Sequence, residues 1–293
     1  MIPIHTPEHK TLDRDPLAQF CGGDIAAHIT SACVLELLAP KVGNVHPHAS
    51  FDDLSAGDFF VAAIAIAQPL SRAGELGIGR TILQAVQEMQ QIAQTNTHLG
   101  TILLLAPLAA AESIEPASVH QQLEELGPAD ASYVFQAILA ARPGGLGTSD
   151  HHDVHSQAPS CLLEAMKAAA DRDLVARQYS HGFADIFDVV VPGLTRPEPM
   201  PLLERIVRTH IELIARFGDS LILRKCGKAT MMEAQRRAQL VQMAWNHGAA
   251  GEQQRSELDA WLRADGHRRN PGATADLIAA GLFVALRTGT LVS

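Results

Sequence analysis

The stretch Gly144–His155, which reads GGLGTSDHHDVH, interrupts a sequence that otherwise has the patterns of helices. Its glycines and its Thr-Ser pair are typical of a loop. Acidic and imidazole side chains follow one another within it: Asp150, His151, His152, Asp153 and His155. A packed core rejects most such side chains unless they have partners. The stretch therefore predicts an all-helical scaffold that presents a polar loop at a cleft.

Helical segments flank this loop on both sides. Asp24 suits the N-cap of a helix that Pro40 ends, and another helix begins near Asp58. Further helices are predicted at about 81–94, 116–126, 130–141, 159–170, 173–179, 198–217, 228–246, 252–264 and 274–287. Residues 182–191 contain DIFDVVV, which could form a short strand, but Pro192-Gly193 bounds the run and no partner strand is evident. Helix is therefore the preferred interpretation there.

A single domain is expected, because the sequence has no strand-rich runs at regular spacing, no fixed repeat and no low-complexity linker. We predict an all-α, multi-helix bundle over residues 21–293, with polar loops that form a nucleotide cleft. Residues 1–20 are polar and carry three prolines, so they are expected to be a loosely ordered N-terminal lead.

The composition limits the classes of function. Of the 293 residues, 47% are hydrophobic and only 4% aromatic, so the core is built from small aliphatic side chains that favour helix. The formal net charge of −9 argues against general binding of nucleic acid or of an anionic membrane surface. An anionic ligand would therefore have to meet local basic residues.

The cysteines predict no disulfide framework and no zinc cluster. They have no CxxC spacing and share no loop: Cys21, Cys33, Cys161 and Cys226. We interpret them as free thiols of a reducing compartment. The N-terminus lacks the apolar segment of a signal peptide, and the apolar runs are too short to span a bilayer. A soluble, cytoplasmic protein without a membrane partner is expected.

Familiar nucleotide and hydrolase motifs are absent. A Walker loop would need a serine or threonine after Gly227-Lys228, where Ala229 stands, and a glycine where Ile222 stands. A GxGxxG pattern begins at Gly145 but ends in Asp150, and no strand precedes it. Neither a GxSxG elbow nor an HExxH motif occurs.

Three more polar loops accompany the central one. The first is Lys41–Pro47, followed by Asp52, Asp53 and Asp58; a helix-connecting turn with solvated charges is the alternative explanation for the aspartates. The second is Asn96-Thr97-His98, where a helix N-cap would also explain Asn96 or Thr97.

The fourth loop, Gly218–Lys225, ends in a cationic cluster of Arg224 and Lys225, with Lys228 close behind. Such a cluster suits a polyphosphate, although cations near a helix C-terminus would look the same. In the central loop, Asp150 and Asp153 could hold a divalent cation or orient the neighbouring histidines. The residues alone indicate a metal-assisted reaction on a phosphorylated or nucleotide substrate.

These loops, in this order, resemble the triphosphoribosyl-dephospho-CoA synthase family, which includes the citrate-lyase and malonate-decarboxylase prosthetic-group enzymes. The resemblance spans about residues 24–287. Its matching pieces are Lys41–Pro47 with Phe51-Asp52-Asp53, Asn96–Gly100 with Leu103–Leu108, Gly144–His155, Glu164–Met166 with Asp171–Leu174, and Gly218–Lys225. Val42 departs from the proline of many relatives, which affects loop stiffness more than chemistry. The central loop looks closest to a stand-alone branch that is not tied to citrate lyase, so the acceptor stays open.

The resemblance implies an all-α enzyme that joins ATP to 3′-dephospho-CoA through a ribose hydroxyl and releases adenine. Displacement at the anomeric carbon develops oxocarbenium-like charge, which a carboxylate stabilises, and it requires proton transfer and cations for the triphosphate. The residues expected to act in catalysis are Asp150, His152 and Asp153. Those expected to bind the nucleotide and its triphosphate are Lys41, Asn44, His46, Asn96, Thr97, Arg224 and Lys225. Those expected to hold Mg²⁺ are Asp52, Asp53, Asp150 and Asp153.

Three alternatives remain at this point. A metal-dependent phosphohydrolase of the HD type would use His152-Asp153 as its doublet and Asp219 as a distal ligand, although that family places the doublet on a helix. A non-catalytic nucleotide-binding or assembly subunit would bind ATP without releasing adenine. Phosphoribosyl transfer to another cofactor, such as a pterin, would use the same donor site.

Overall fold

Helices dominate the computed structural model, which describes residues 23–93, 97–141, 160–245 and 247–291, and the predicted all-α fold is confirmed. The helices, in chain order, are α1 Ile25–Leu38, α2 Ala56–Ser71, α3 Ala73–Leu76, α4 Ile78–Ala93, α5 Leu99–Ala110, α6 Pro116–Glu124, α7 Pro128–Ala141, α8 Leu162–Ala169, α9 Leu174–Ser180, a π-helical turn Ile186–Val190, α10 Val191–Leu194, α11 Leu202–Phe217, α12 Ser220–Cys226, α13 Lys228–Ala244, α14 Ala249–Arg263 and α15 Gly272–Arg287. The expected N-terminal lead, residues 1–20, lies outside the described residues.

Helix α15 is the centre of the molecule. Nearly every side chain from Ala273 to Leu286 is buried, so the helix is apolar on all sides as a core helix must be. It packs against α1, α5, α9, α10, α11 and α12. Helices α2, α4 and α7 pack on one another in one half of the bundle, and α11, α13 and α14 do so in the other. Helices α1 and α15 join the two halves.

Local capping sets where several helices begin. The Asp24 carboxylate accepts a hydrogen bond from Ala27 N at 2.8 Å and caps α1, as predicted. Ser55 and Asp58 form a capping box at the start of α2, in which each side chain bonds the backbone of the other. Asp58 is therefore explained by helix capping rather than by chemistry.

One local prediction of secondary structure is confirmed, and another is wrong. Residues 186–190 within the ambiguous segment form a π-helical turn, so the helical interpretation is confirmed over the strand. The prediction of a loop over residues 218–225 is wrong, because Ser220–Cys226 forms helix α12.

A four-residue extended segment, Ala264–His267, follows α14 and precedes the turn that leads into α15. None of the helices within the described ranges is both long and apolar enough to cross a membrane.

Candidate functional site

The first polar loop leaves α1 beside a buried ion pair. Lys41 Nζ lies 2.8 Å from Glu36 Oε1 and also donates to the main-chain oxygen of Glu36. The Lys41 side chain has no exposed surface, and the Glu36 side chain is 9% exposed. Removing two charges from water costs several kcal/mol per ion, so each of them depends on the other. Lys41, expected to meet the triphosphate, offers no surface to a phosphate group in this structure.

The same loop is held against the C-terminal helices. Gly43 N donates to Asp259 Oδ1 at 2.7 Å, and Arg263 Nη2 donates to the main-chain oxygen of Asn44 at 2.5 Å. The Asn44 amide donates in turn to Asn270 Oδ1. Asn44 Oδ1 is buried and has no hydrogen-bond partner among the described residues. The amide therefore keeps one acceptor for a ligand that donates a hydrogen bond.

His46 lies further along the loop and is only partly buried. Burial, together with the positive charges of Arg263 and Lys41, lowers the pKa of His46. The imidazole is therefore neutral near pH 7, and one of its ring nitrogens can accept a hydrogen bond.

Asp52 and Asp53, the expected metal ligands of this loop, are both exposed. Asp53 Oδ1 lies 2.9 Å from His267 Nδ1, and the Phe51 ring packs edge-on against the same imidazole. In the described part of the chain, no three His, Cys, Asp or Glu side chains are grouped so that they could hold a metal ion. The described residues alone therefore do not assemble the expected Mg²⁺ site.

The second polar segment precedes and opens α5. The Thr97 hydroxyl is buried and lacks a hydrogen-bond partner within the described ranges. His98 Nε2 lies 3.1 Å from the main-chain oxygen of Phe59, and burial lowers the pKa of His98. Neither residue uses its side chain to cap α5. Asn96 lies outside the described residues.

The fourth segment is organised by the Asp219 carboxylate, which caps two helices at once. It accepts hydrogen bonds from Leu221 N at 2.9 Å and Ile222 N at 3.1 Å at the start of α12. It also accepts from the backbone N at 2.8 Å and the hydroxyl at 3.1 Å of Thr274 at the start of α15. With four donors on a buried carboxylate, Asp219 has a structural role, and the idea that it serves as a distal metal ligand is wrong.

Arg224 and Lys225 lie in the last turn of α12, where the helix dipole favours cations. Arg224 Nη1 lies 3.7 Å from Asp173 Oδ2, and Asp173 caps α9. Burial, with the charge of Arg224, lowers the pKa of Lys225, while the negative charges of Asp53 and Asp219 oppose that shift. The cations thus lie beside the first loop, and both keep part of their surface exposed.

Direct contacts link these segments into one region. The links are Asn44 with Asn270 before α15, Thr274 of α15 with Asp219 of α12, Leu174 N of α9 with Ser220 Oγ of α12 at 3.1 Å, and Thr101 Oγ1 of α5 with Asp276 Oδ1 of α15 at 2.6 Å. Three of the four polar segments that the sequence singled out are therefore held against residues 270–276, which lead into α15 and form its first turn. The central loop, with Asp150, His151, His152, Asp153 and His155, lies outside the described residues.

Three polar residues of this region were missed by sequence reasoning: Glu36 and His210, which are buried, and Asp276, which is partly buried. Each stands within the apolar face of a core helix, and that isolated polar position is the signal that could have found it. His210 Nε2 lies 3.1 Å from the Thr274 hydroxyl, and burial lowers the pKa of His210 to about 3. Burial raises the pKa of Asp276 to about 8.

Comparison with known families decides what this arrangement belongs to. The family model for ATP:dephospho-CoA triphosphoribosyl transferase matches residues 23–291. The chain belongs to this triphosphoribosyl transferase family. It is therefore an enzyme of the transferase class, and the matched residues include every helix of the bundle.

A solved structure supports the assignment to the triphosphoribosyl transferase family. The chain is similar to a crystal structure described as a triphosphoribosyl-dephospho-CoA synthase from Archaeoglobus fulgidus, with 25% sequence identity and a TM-score of 0.61. The alignment covers 78% of this chain and 98% of that one. None of the curated proteins compared matches the chain.

Membership of the triphosphoribosyl transferase family overturns two of the alternatives. The HD-type phosphohydrolase disagrees with the family match, and Asp219, its possible distal metal ligand, caps α12 and α15 instead. The non-catalytic subunit disagrees with membership of a transferase family. The resemblance drawn from the four polar loops is confirmed.

Proposed function

We propose that this transferase moves the triphosphoribosyl group of ATP to a hydroxyl of dephospho-CoA, or of a related acceptor, and releases adenine. The observation that carries the proposal is the family match over residues 23–291, supported by the contacts of the segments 41–46, 97–101 and 218–225 with residues 270–276. A site that takes a nucleotide needs hydrogen-bonding groups for the nucleoside and cations for the phosphates, and this region contains both.

The proposed reaction is a displacement at C1′ of the ATP ribose. The bond from C1′ to N9 of adenine breaks, and a bond from C1′ to the acceptor oxygen forms. The acceptor hydroxyl loses its proton, and adenine leaves with one proton more than it carried as part of ATP. The products therefore balance. Positive charge develops on the ribose ring in the transition state, so a carboxylate beside the ring would accelerate the step.

Arg224 and Lys225 are the proposed contacts of the triphosphate. They are adjacent, partly exposed and close to the first loop, in a chain whose formal net charge is −9. A planar guanidinium binds phosphate oxygens in pairs, and an ammonium acts as a point charge. Lys41 is proposed to contribute by holding the loop that carries Asn44 and His46, because its ammonium is enclosed with Glu36 and paired with it.

Asn44 and Thr97 are the proposed contacts of the nucleoside. Each is buried and has a polar atom without a partner in the described part of the chain, Asn44 Oδ1 and Thr97 Oγ1. A buried polar atom without a partner loses free energy, which a ligand would recover on binding. His46, neutral because its pKa is lowered, and Asn96, beside Thr97 in the sequence, complete the proposed set.

The central loop is the proposed source of the catalytic groups. Asp150 or Asp153 would stabilise the ribose charge, and His152 would transfer the proton. The described chain resumes at Ser160, and α8 packs against α9, whose cap Asp173 lies beside Arg224. Mg²⁺ stays a proposed cofactor that would neutralise charge on the triphosphate, and Asp52, Asp53, Asp150 and Asp153 are the residues that would hold it.

Chromatography of adenine tests the proposal. The protein is incubated with ATP and Mg²⁺, with and without dephospho-CoA, and we expect adenine to appear only with an acceptor present. Asp150→Asn and Asp153→Asn should abolish adenine release while the helical circular dichroism spectrum stays intact. Near-normal activity in both variants would remove the central loop from the chemistry. Release of phosphate without adenine would overturn the proposed reaction.

A further inference from the structure

The start of helix α5 is in contact with helix α15. The N-cap residue is His98, whose side chain makes no capping hydrogen bond within the described ranges. Thr101, in the first turn of α5, donates its hydroxyl to Asp276 Oδ1 on α15 at 2.6 Å. Asp276 thus ties the start of α5 to α15.

Gly100 shows how closely this carboxyl approaches the α5 backbone. A Cβ atom at Gly100 would lie 2.1 Å from Asp276 Oδ2 and 2.6 Å from its Cγ. Since no side chain fits between them, the second carboxyl oxygen rests against the helix backbone itself. The two contacts, at Thr101 and Gly100, fix the segment 97–101 relative to α15.

The groups that face Asp276 favour its neutral form. Helix α1 presents Cys33 and Glu36, and Asp219 stands at the start of α12. On α11, the neutral His210 reaches the neighbouring Thr274, and on α5 the contact is Thr101. Lys41, the buried cation of this region, is already paired with Glu36. An ionised Asp276 would therefore be a further carboxylate among two others, and burial with the charge of Glu36 raises the pKa of Asp276 to about 8.

We propose that Asp276 is a positioning residue that holds the segment 97–101 against α15, so that the Thr97 hydroxyl meets the nucleotide. The inference rests on the proposed function for the identity of the ligand. Asp276 is only partly buried as a residue, so its carboxyl can exchange protons with solvent. Loss of its proton would introduce repulsion from Glu36 and Asp219 and loosen the start of α5.

The test compares Asp276→Asn with Asp276→Ala. Asparagine has nearly the shape of the neutral acid and can accept the Thr101 hydrogen bonds, whereas alanine cannot. We expect kcat/KM of the wild type to fall about tenfold per pH unit above pH 8, as for a group that must be protonated. The asparagine variant should keep activity at pH 7 and lose this alkaline decline. The alanine variant should raise KM for ATP at all pH values.

A matched control separates this role from helix capping in general. Asp130 on α7 holds the start of α4, since its Oδ1 accepts from Gly79 N at 2.8 Å. It lies where α4 packs against α7, away from the start of α5. Asp130→Asn should leave the alkaline decline of kcat/KM unchanged. Two results would overturn the proposal. In the first, Asp276→Asn is correctly folded but as inactive as Asp276→Ala. In the second, the alkaline decline of kcat/KM persists in Asp276→Asn.

Amide hydrogen exchange tests the positioning role of Asp276 even if the enzyme releases no adenine. In the wild-type protein without ligand, amide protection factors over residues 99–103 should fall as pH rises through about 8, relative to those of α15. Asp276→Asn should remove that dependence. A wild type that shows the dependence but no adenine release would refute the proposed function and leave the positioning role intact. Protection independent of pH in the wild type would refute the positioning role itself.

Discussion

Lys41 and Glu36 form an ion pair enclosed by the protein at the point where the first polar loop leaves α1, with 2.8 Å between Nζ and Oε1. A charge in such a place is strongly tied to its partner, because neither can return to water without unfolding. The pair therefore fixes the origin of the loop that carries Asn44 and His46. The main role of Lys41 in this structure is therefore to stabilise the helical scaffold.

Removing one member of this pair should destabilise the protein strongly. Glu36→Gln leaves the Lys41 ammonium buried without a counter-charge, so we expect the free energy of unfolding to fall by about 3–5 kcal/mol. Urea denaturation followed by circular dichroism measures this. Arg72→Ala, in the exposed pair Arg72–Glu75, is the control and should change stability by less than about 1 kcal/mol. Equal effects in the two variants would contradict the role given to the buried pair.

Gly43→Ala should damage the first loop through both conformation and space. Gly43 has φ of 70°, and a Cβ there would lie 2.7 Å from Leu262 Cβ. Left-handed backbone costs an L residue about 1–2 kcal/mol, and overpacking adds about 1–3 kcal/mol. Gly289→Ala isolates the first effect, because Gly289 has φ of 67° and nothing within 4 Å of the added atom. Thermal unfolding should rank Gly43→Ala clearly below Gly289→Ala, and the reverse order would refute the packing argument.

The buried His210 should make the fold sensitive to acid. Burial lowers its pKa from 6.5 to about 3, so between these pH values the unfolded chain binds a proton that the folded protein does not. Stability contributed by this group is therefore present above pH 6.5 and is lost as pH falls, by about 1.4 kcal/mol per pH unit. His210→Gln should remove this part of the slope when unfolding free energies are compared between pH 6.5 and 5. An unchanged slope would show that His210 titrates normally.

The two cations of α12 should affect the donor more than the acceptor. We expect Arg224→Ala and Lys225→Ala each to raise KM for ATP roughly tenfold, since a charge-assisted hydrogen bond is worth about 1.5–3 kcal/mol. The KM for the acceptor should change little. Arg80→Ala, an exposed position on α4, is the control. An increase confined to the acceptor KM would place these cations at the other substrate.

Local patterns predicted the fold well because helix periodicity and caps are properties of neighbouring residues. Asp24 caps α1 as predicted, and α2 begins at Ala56, two residues before the expected start near Asp58. The exception is 218–225, where Gly218-Asp219-Ser220 has the composition of a turn. Asp219 instead caps α12 with one carboxylate oxygen. Its second oxygen accepts from Thr274, fifty-five residues away at the start of α15.

The candidate site was only partly predictable for the same reason. Asn44, Thr97 and Arg224 were proposed from the sequence because polar residues stood out in loops or clusters. Asp276 was not, since an acid near the start of a helix looks like an ordinary capping residue. Its contact with Thr101 is separated by 175 positions in the sequence and exists only once α5 and α15 are packed.

Mass spectrometry of the acceptor tests the central claim most directly, namely that C1′ of the ATP ribose becomes bonded to an acceptor oxygen. After incubation with ATP and dephospho-CoA, the account predicts an acceptor heavier by one triphosphoribosyl group, with one adenine released for each product molecule. An acceptor of unchanged mass while ATP loses phosphate would contradict it.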